Sequence, residues 1–181
     1  MSKLKASNYT SLNHYFVESN KYTFHTHQIF KRLCGLDLDN SLNLFSGESL
    51  LGDVRVDIQN PKATDIIDAE IYLRESNHLF DLIIIDPPFT GKLFEKYNLT
   101  EKSNYYKWFT EIKREAGKHL NVGGSIVIFG YSAEGMPANW GYENIELNVY
   151  TIGAMRASFF MSISKKIVSG QENFKWRLNE A

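Results

Sequence analysis

The tetrapeptide Asp86-Pro87-Pro88-Phe89 closes the apolar run "LFDLIII", and its residue types suit the chemistry of a flat amine. The nitrogen of a planar exocyclic amine, such as N6 of adenine, is a poor nucleophile because its lone pair is delocalised into the ring. Two acceptors placed on its two N–H groups draw the nitrogen towards tetrahedral geometry and free that lone pair. The Asp86 carboxylate can be one acceptor and the Pro87 carbonyl the other. Proline presents its carbonyl on a rigid backbone and carries no competing N–H. Phe89 adds a face on which an unstacked base can lie, worth about 1–3 kcal/mol per base. Attack then needs positioning and electrostatics more than a strong general base. At ordinary proline usage, an Asp-Pro-Pro-aromatic run arises by chance in a chain of this length on the order of once in a thousand.

Other candidates stand where ligands collect in open α/β sheets, at the carboxyl ends of strands. In "FSGESLLGD", Gly47, Ser49 and Gly52 have the i, i+2, i+5 spacing of a G-x-G-x-x-G loop with serine in the middle. Glycines there let backbone approach a ligand closely. Asp57 ends the next strand and Asp68 the one after. A carboxylate in such a place can bond a ribose diol, and it can equally form a turn or cap a helix. His25 and His27, spaced i, i+2, do not make a metal site, and no metal is expected.

These residues must be positioned by elements legible in the hydrophobic pattern. "HQIFKRLCG" places Ile29, Phe30, Leu33 and Cys34 on one helical face and stops at Gly35. "SLNLFSG" reads as a strand, Val54 to Ile58 as a second, "ATDIIDA" as a third, and "EIYLRES" as a short helix. "LFDLIIID" reads as an apolar run, carried by Leu82 to Ile85, as expected of a strand buried on both faces of a parallel sheet. Trp108, Phe109, Ile112, Ala116 and Leu120 recur at helical spacing, with Gly123-Gly124 ending the pattern. "SIVIFGY" is a fifth strand. "NIELNVYTI" and "ASFFMSISKK", joined by "GAMR", read as a hairpin. The expected fold is an α/β, Rossmann-like sheet, mostly parallel with a C-terminal antiparallel hairpin.

Composition sets the outer bounds. A chain of 181 residues with 43% hydrophobic and 14% aromatic content is most simply one globular domain, 1–181. The single cysteine, Cys34, excludes a disulfide framework and a cysteine-rich zinc site. No membrane span or signal-peptide core appears, so a soluble cytoplasmic protein is expected. The net charge of −1 is unevenly spread: Asp37 to Asp86 holds eleven acids against three bases, and Lys92 to Lys118 seven bases against four acids. A basic rim beside an acidic pocket is one reading of this pattern, and a solvated surface is the other.

"DPPF" after "LFDLIII", with "LNLFSGES" upstream, resembles the class I S-adenosylmethionine-dependent amino-methyltransferases of the N6-adenine type. The resemblance covers roughly Ser41 to Lys166 in element order, and its specific motif is the tetrapeptide. It implies a seven-stranded sheet whose last two strands form an antiparallel hairpin. It also implies S-adenosylmethionine as cofactor and DNA or RNA as substrate. The catalytic residues it implies are Asp86, Pro87, Pro88 and Phe89. The first loop would bind the methionine part of the cofactor, which by position points to Phe45, Ser46, Gly47 and Ser49. The ribose would fall to Asp57 and the cofactor's adenine to Asp68, or to Asp65.

Three departures accompany the likeness. Asn43 stands where the family has an acid, and Ser49 replaces the middle glycine. Only Asp53 to Val56 separate Gly52 from Asp57, where the family has a whole helix. Either the cofactor site is shortened or the second strand lies elsewhere. If the helix is missing, the segment "YTFHTH" is the candidate to fill the gap. Other amines stay open as substrates, whether a protein nitrogen or cytosine N4. So does an inactive, methyltransferase-like subunit that only binds nucleic acid. Target recognition would come from the loop "TGKLFEKYNLTEKSN", from a protein partner, or from a homo-oligomer.

Overall fold

The run Leu82–Ile85 is apolar because it lies near the centre of a sheet covered on both sides. The computed structural model describes residues 9–17, 23–88, 105–152 and 158–168. Among these, eight strands form one sheet: β1 (Ser11–Val17), β2 (Ser41–Leu44), β3 (Val54–Asp57), β4 (Asp65–Ile66), β5 (Phe80–Ile85), β6 (Leu120–Gly130), β7 (Tyr142–Ile152) and β8 (Phe159–Lys166). Their order is β1-β7-β8-β6-β5-β2-β3-β4. Every neighbouring pair is parallel except those made by β8, which runs antiparallel to both β6 and β7. The mostly parallel sheet closed by an antiparallel pair is therefore present. The "GAMR" connection lies outside the described residues.

Among the described residues three α-helices cover the faces: α1 (His27–Cys34), α2 (Ala69–Glu75) and α3 (Tyr105–Lys118). Ile29 and Leu33 of α1 are fully buried and cluster with Leu82 and Ile84 of β5, Val127 and Phe129 of β6, and Tyr150 of β7. On the other face Leu73 of α2 and Trp108, Ile112 and Ala116 of α3 cluster with Leu42, Leu44, Ile83, Ile85 and Ile126. Alternate residues of β5 thus feed two separate hydrophobic layers, which is why no polar position interrupts Leu82–Ile85.

The structure corrects several expectations. The strand β1, absent from the sequence reading, pairs with β7 at the sheet edge. Its alternation is inverted: Leu12 and Phe16 are 60% and 75% exposed, whereas Asn13 turns towards Asn148 Oδ1 at 3.1 Å. Gly123 and Gly124 do not end α3; they lie inside β6. The helix stops at Lys118, where the buried Lys166 Nζ donates to the Gly117 carbonyl at 2.8 Å, one of the orphan acceptors of the helix end, and to the Leu120 carbonyl at the start of β6 at 2.6 Å. The glycines serve a bend in β6, where Gly123 has φ +87° and a Cβ on Gly124 would lie 2.9 Å from the Asp81 carbonyl. The second strand ends at Asp57 rather than Ile58, and the third is confined to Asp65–Ile66.

The connection from β2 to β3 carries no helix. Parallel neighbours are usually joined by a dozen or more residues, yet here residues 45–53 suffice. Phe45 and Gly47 take left-handed backbone, φ 60° and 52°, and Gly52 has φ +94°, so three of the nine residues sit at positive φ in a tightly turned loop. Ser41 and Asp53 clasp its ends: the Ser41 N–H donates to Asp53 Oδ2 and the Asp53 N–H to Ser41 Oγ, at 3.1 and 3.2 Å. Asn43 Nδ2 donates to the Leu51 carbonyl at 3.1 Å. An acid at position 43 could not make that bond, so the asparagine belongs with the short loop. None of the described helices is long and apolar enough to cross a membrane.

Candidate active site

The ladder between β2 and β5 extends one residue past the strands, because the Asp86 N–H donates to the Leu44 carbonyl at 3.3 Å. Pro87 then has no N–H to continue it, and both Pro87 and Pro88 are buried. The strand therefore stops with Asp86 beside Phe45, the first residue of the loop after β2. Phe89 lies outside the described residues, as does the segment "TGKLFEKYNLTEKSN".

Asp86 retains some exposed surface, but its Oδ1 is enclosed and has no hydrogen-bond partner. Burial pushes its carboxyl up to about 7, and a side-chain hydrogen bond with Thr23 works in the opposite direction. The parity of β5 explains the partner: Leu82 and Ile84 face α1, and Asp86 continues that row. Thr23 opens a 3₁₀ turn, Thr23–His25, just ahead of α1. The N-terminal segment thus stands at the β5 corner. From the opposite layer, Tyr105 at the start of α3 faces the same carboxyl. Its phenol is held well above the ordinary value by burial first, then by the negative charge of Asp86 and by Tyr106.

Aromatic rings line the α3 side. Phe45 meets Trp108 edge-on at 5.8 Å, and Tyr105 packs on Trp108 at 5.7 Å and stacks on Phe109 at 5.8 Å. Phe45 can reach that cluster because its left-handed backbone turns it out of the strand's alternation.

In the loop, the Ser46 N–H donates to the Val56 carbonyl at 3.0 Å, and the Ser49 N–H to the Ser46 carbonyl at 2.9 Å. Ser49 Oγ accepts from the Leu51 N–H at 3.1 Å. Ser46 Oγ is enclosed without a partner. A Cβ added to Gly47 would meet nothing within 4 Å, which leaves open space over the loop.

Asp57 is 5% exposed, and its carboxylate ties two loops together. Oδ2 accepts from the Gly47 N–H at 3.0 Å, and Oδ1 accepts from the N–H groups of Gln59 and Asn60 at 3.0 and 2.9 Å. A carboxylate offers about four acceptor positions, so one remains, on Oδ2. Asp68 caps α2, its Oδ1 accepting from the N–H groups of Glu70 and Ile71 at 2.8 and 3.3 Å. Asp65 Oδ2 accepts from the Thr64 hydroxyl at 2.8 Å. Among the described residues no cluster of His, Cys, Asp and Glu could hold a metal.

The structure therefore gathers Phe45, Ser46, Gly47, Asp57 and Asp86 at the carboxyl ends of β2, β3 and β5, with Ser49 forming the turn beneath. Asp68 is committed at one oxygen to its helix. Thr23 and Tyr105 were not among the residues singled out from sequence. Tyr105 carried a usable signal, since it precedes Trp108 and Phe109 by three and four residues and shares their helical face. Thr23 carried none.

No family model and no curated protein matches the chain, but solved structures do. NSun6 from Pyrococcus horikoshii, crystallised with SFG, aligns over 76% of this chain and 50% of its own, with a TM-score of 0.54 at 12% identity. TrmN from Thermus thermophilus aligns over 78% of this chain and 49% of its own, TM-score 0.53 at 17% identity. The N-methyltransferase NodS from Bradyrhizobium japonicum WM9 aligns over 78% of this chain and 94% of its own, TM-score 0.52 at 14% identity. NodS has also been crystallised with S-adenosyl-L-homocysteine. The chain spans about half the length of NSun6 and TrmN. At these identities the likeness is one of fold, and that fold is the Rossmann-like class I methyltransferase sheet. Counted from β2, strand for strand, this chain has its seven-stranded order, and β1 adds an eighth at the edge.

Proposed function

We propose that this protein transfers a methyl group from S-adenosylmethionine to a planar amine, N6 of adenine in DNA or RNA. The observation that carries the reading is the Asp86 carboxyl at the end of β5, with Oδ1 enclosed and unpartnered next to the loop after β2. An enclosed acceptor without a donor costs about 1–3 kcal/mol, and a substrate N–H relieves that cost. NodS, an N-methyltransferase by name, supports the choice of nitrogen.

The loop residues fit the cofactor. Ser46 Oγ is an enclosed hydroxyl awaiting a partner, and the backbone at Gly47 lies open to close approach. Phe45, Ser46, Gly47 and Ser49 would hold its methionine part. Asp57 has one acceptor position left for a ribose hydroxyl, and Asp68 Oδ2 is left for the adenine. When bound, the cofactor supplies an electrophilic methyl on sulfur.

The chain's own residues do the rest. Asp86 and the Pro87 carbonyl accept the two N–H bonds of the amine and hold its lone pair towards the methyl. As the N–C bond formed, the methyl–sulfur bond would break and its electron pair would stay on sulfur as the neutral thioether; the nitrogen, left positively charged, would then give one proton to the Asp86 carboxylate or to water. A carboxyl titrating near 7 is suited to hold that proton in passing. Phe89 would stack the base, and target selection would rest on the loop 90–104 or on a partner chain.

The test is transfer of tritiated methyl from S-adenosylmethionine to adenine-containing DNA and RNA, with calorimetric titration of S-adenosylmethionine and S-adenosylhomocysteine. Transfer that stops in Asp86→Ala supports the reading. Label arriving on cytosine or on protein would move it to another nitrogen. A second reading, a nucleic-acid-binding subunit without turnover, draws on the helix-free β2–β3 connection. Cofactor binding absent from the chain alone, with nucleic-acid affinity retained in Asp86→Ala, would favour it.

A further inference from the structure

Lys113 stands in the middle of α3 and is only 7% exposed. Lysine is almost never buried so deeply unless it is paired. Its Nζ lies over the Phe109 ring, 5.4 Å from the centroid. Among the described residues it makes no hydrogen bond and no ion pair. A ring face attracts the charge but offers no lone pair to the three N–H donors of an ammonium. Burial holds the Lys113 pKa below its ordinary value, and the charge of Glu134 offsets this only in part. Nζ is not sealed, in contrast to Asp86 Oδ1 and Ser46 Oγ, which are enclosed without partners. A buried cation is thus held beside an outlet, with no bonded anion.

Its place in the fold selects the anion. Phe45 of the loop after β2 meets Trp108, Trp108 meets Tyr105, Tyr105 stacks on Phe109, and Phe109 carries the ammonium. Lys113 therefore ends an aromatic row whose other end is the loop assigned to the cofactor's methionine part. One turn further along α3, Gly117 packs on the crossover from β6 to β7. A Cβ there would lie 2.6 Å from Tyr142 Oη and 3.5 Å from Met136 Cε. Residues i and i+4 share a helix face, so Lys113 lines the seam between α3 and that crossover. Because α3 leads into β6 at Leu120, its first turn lies at the carboxyl edge of the sheet. Helical side chains lean towards the N-terminus of their helix, which aims the ammonium at that edge.

We propose, resting on the function proposed above, that Lys113 is a phosphate-binding residue for the nucleic-acid substrate, taking a backbone phosphate oxygen in this seam while the target base occupies the Asp86 corner. The phosphodiester is common to DNA and RNA, and its charged oxygens make strong hydrogen bonds to an ammonium. Such a contact positions the strand and reads no base.

The experiment uses the full chain with Lys113→Met and Lys113→Arg. Binding of fluorescent single-stranded oligonucleotides, one of DNA and one of RNA, is followed from about 50 to 300 mM salt. Each phosphate contact to a single strand contributes about 0.7 to the slope of log K against log salt. Lys113→Met should lower the slope by that amount and weaken binding about fivefold at 0.1 M salt, whatever the base sequence. A drop on either oligonucleotide supports the proposal and names the substrate strand. Lys113→Arg should keep the slope. S-adenosylhomocysteine affinity should not change, and Lys113→Met should melt no lower than the parent, since it removes an unpaired buried charge. An unchanged slope in Lys113→Met, or a parent that binds neither strand, would overturn the proposal. So would weakened S-adenosylhomocysteine binding at full strand affinity, which would make the anion the cofactor's carboxylate. A parent that binds a strand but methylates no adenine would instead defeat the functional reading, and the salt slope would still decide the role of Lys113.

Discussion

The Gly47 N–H and Asp57 Oδ2 meet at 3.0 Å, joining the proposed cofactor loop to the end of the neighbouring strand. Together with the two bonds to Oδ1, this makes Asp57 the acceptor for three backbone donors from two loops. Asp57→Ala would leave those donors without their partner in a buried site, at a cost of about 2–4 kcal/mol. The prediction is a lowered urea midpoint together with lost binding of S-adenosylhomocysteine, because the loop loses its shape and the ribose its acceptor. Binding lost with no change in the midpoint would mean that Asp57 acts on ligand alone.

Asn43 makes a contrasting prediction. Asn43→Asp would restore the residue type of the family that the sequence resembles, yet it would set a carboxylate against the Leu51 carbonyl that now accepts from Nδ2. Position 43 is fully buried, and an unpaired charge there is costly. A loss of about 2–4 kcal/mol in chemical denaturation is expected, with cofactor binding no better than in the parent chain. Improved binding would show that the short loop does not depend on the asparagine.

The sheet was largely legible from residue patterns because its core strands are continuous apolar runs and its helices carry a single apolar face. What was missed depended on partners distant in sequence. The strand β1 hides because Asn13 faces inward to Glu146 and Asn148, more than a hundred residues away, while Leu12 and Phe16 face outward. Gly123-Gly124 read as a helix stop because nothing local shows that Lys166 caps α3 from another strand. At the site, the corner residues and the loop could be found by type and spacing. The capping duty of Asp68, the three bonds of Asp57 and the approach of Thr23 are tertiary facts that spacing cannot carry.

Arg32 and Glu146 predict an acid-labile joint between α1 and β7. Burial alone would raise the Glu146 carboxyl, but hydrogen bonds from Arg32 and Asn148 and the guanidinium charge leave it below its ordinary value. Its folded value thus lies below its unfolded one, so the stability it contributes is present above the ordinary glutamate range and is lost as pH falls through the folded value. Glu146→Gln should flatten the acid side of the stability curve. Arg32→Met should cost about 3 kcal/mol at neutral pH by leaving a half-enclosed charge unpaired. Parallel acid limbs for parent and Glu146→Gln in urea unfolding would refute the assignment.

Asp86 predicts that activity and stability pull apart at one side chain. Its carboxyl moves from an ordinary 3.8 up to about 7 in the folded chain. Between those values the native state holds a proton that the unfolded chain has lost, so stability falls as pH rises through that window and levels off above about 7. Three pH units at about 1.4 kcal/mol each would give about 4 kcal/mol, and the residual exposure of the residue reduces this to about 2–4 kcal/mol. Asp86→Asn carries no charge to be penalised. It should match the parent in urea unfolding near pH 4 and exceed it progressively up to pH 8. The same substitution removes the carboxylate that accepts the amine, so methyl transfer should fall at least about a hundredfold above pH 7, with the deficit narrowing as the parent's carboxyl takes up its proton at lower pH. In the parent, kcat/KM should rise with pH through about 7, because only the ionised carboxyl accepts an N–H. Stability curves that run parallel for the two proteins would show that Asp86 ionises normally in the folded chain, and the ascending limb of the rate profile would then need another group.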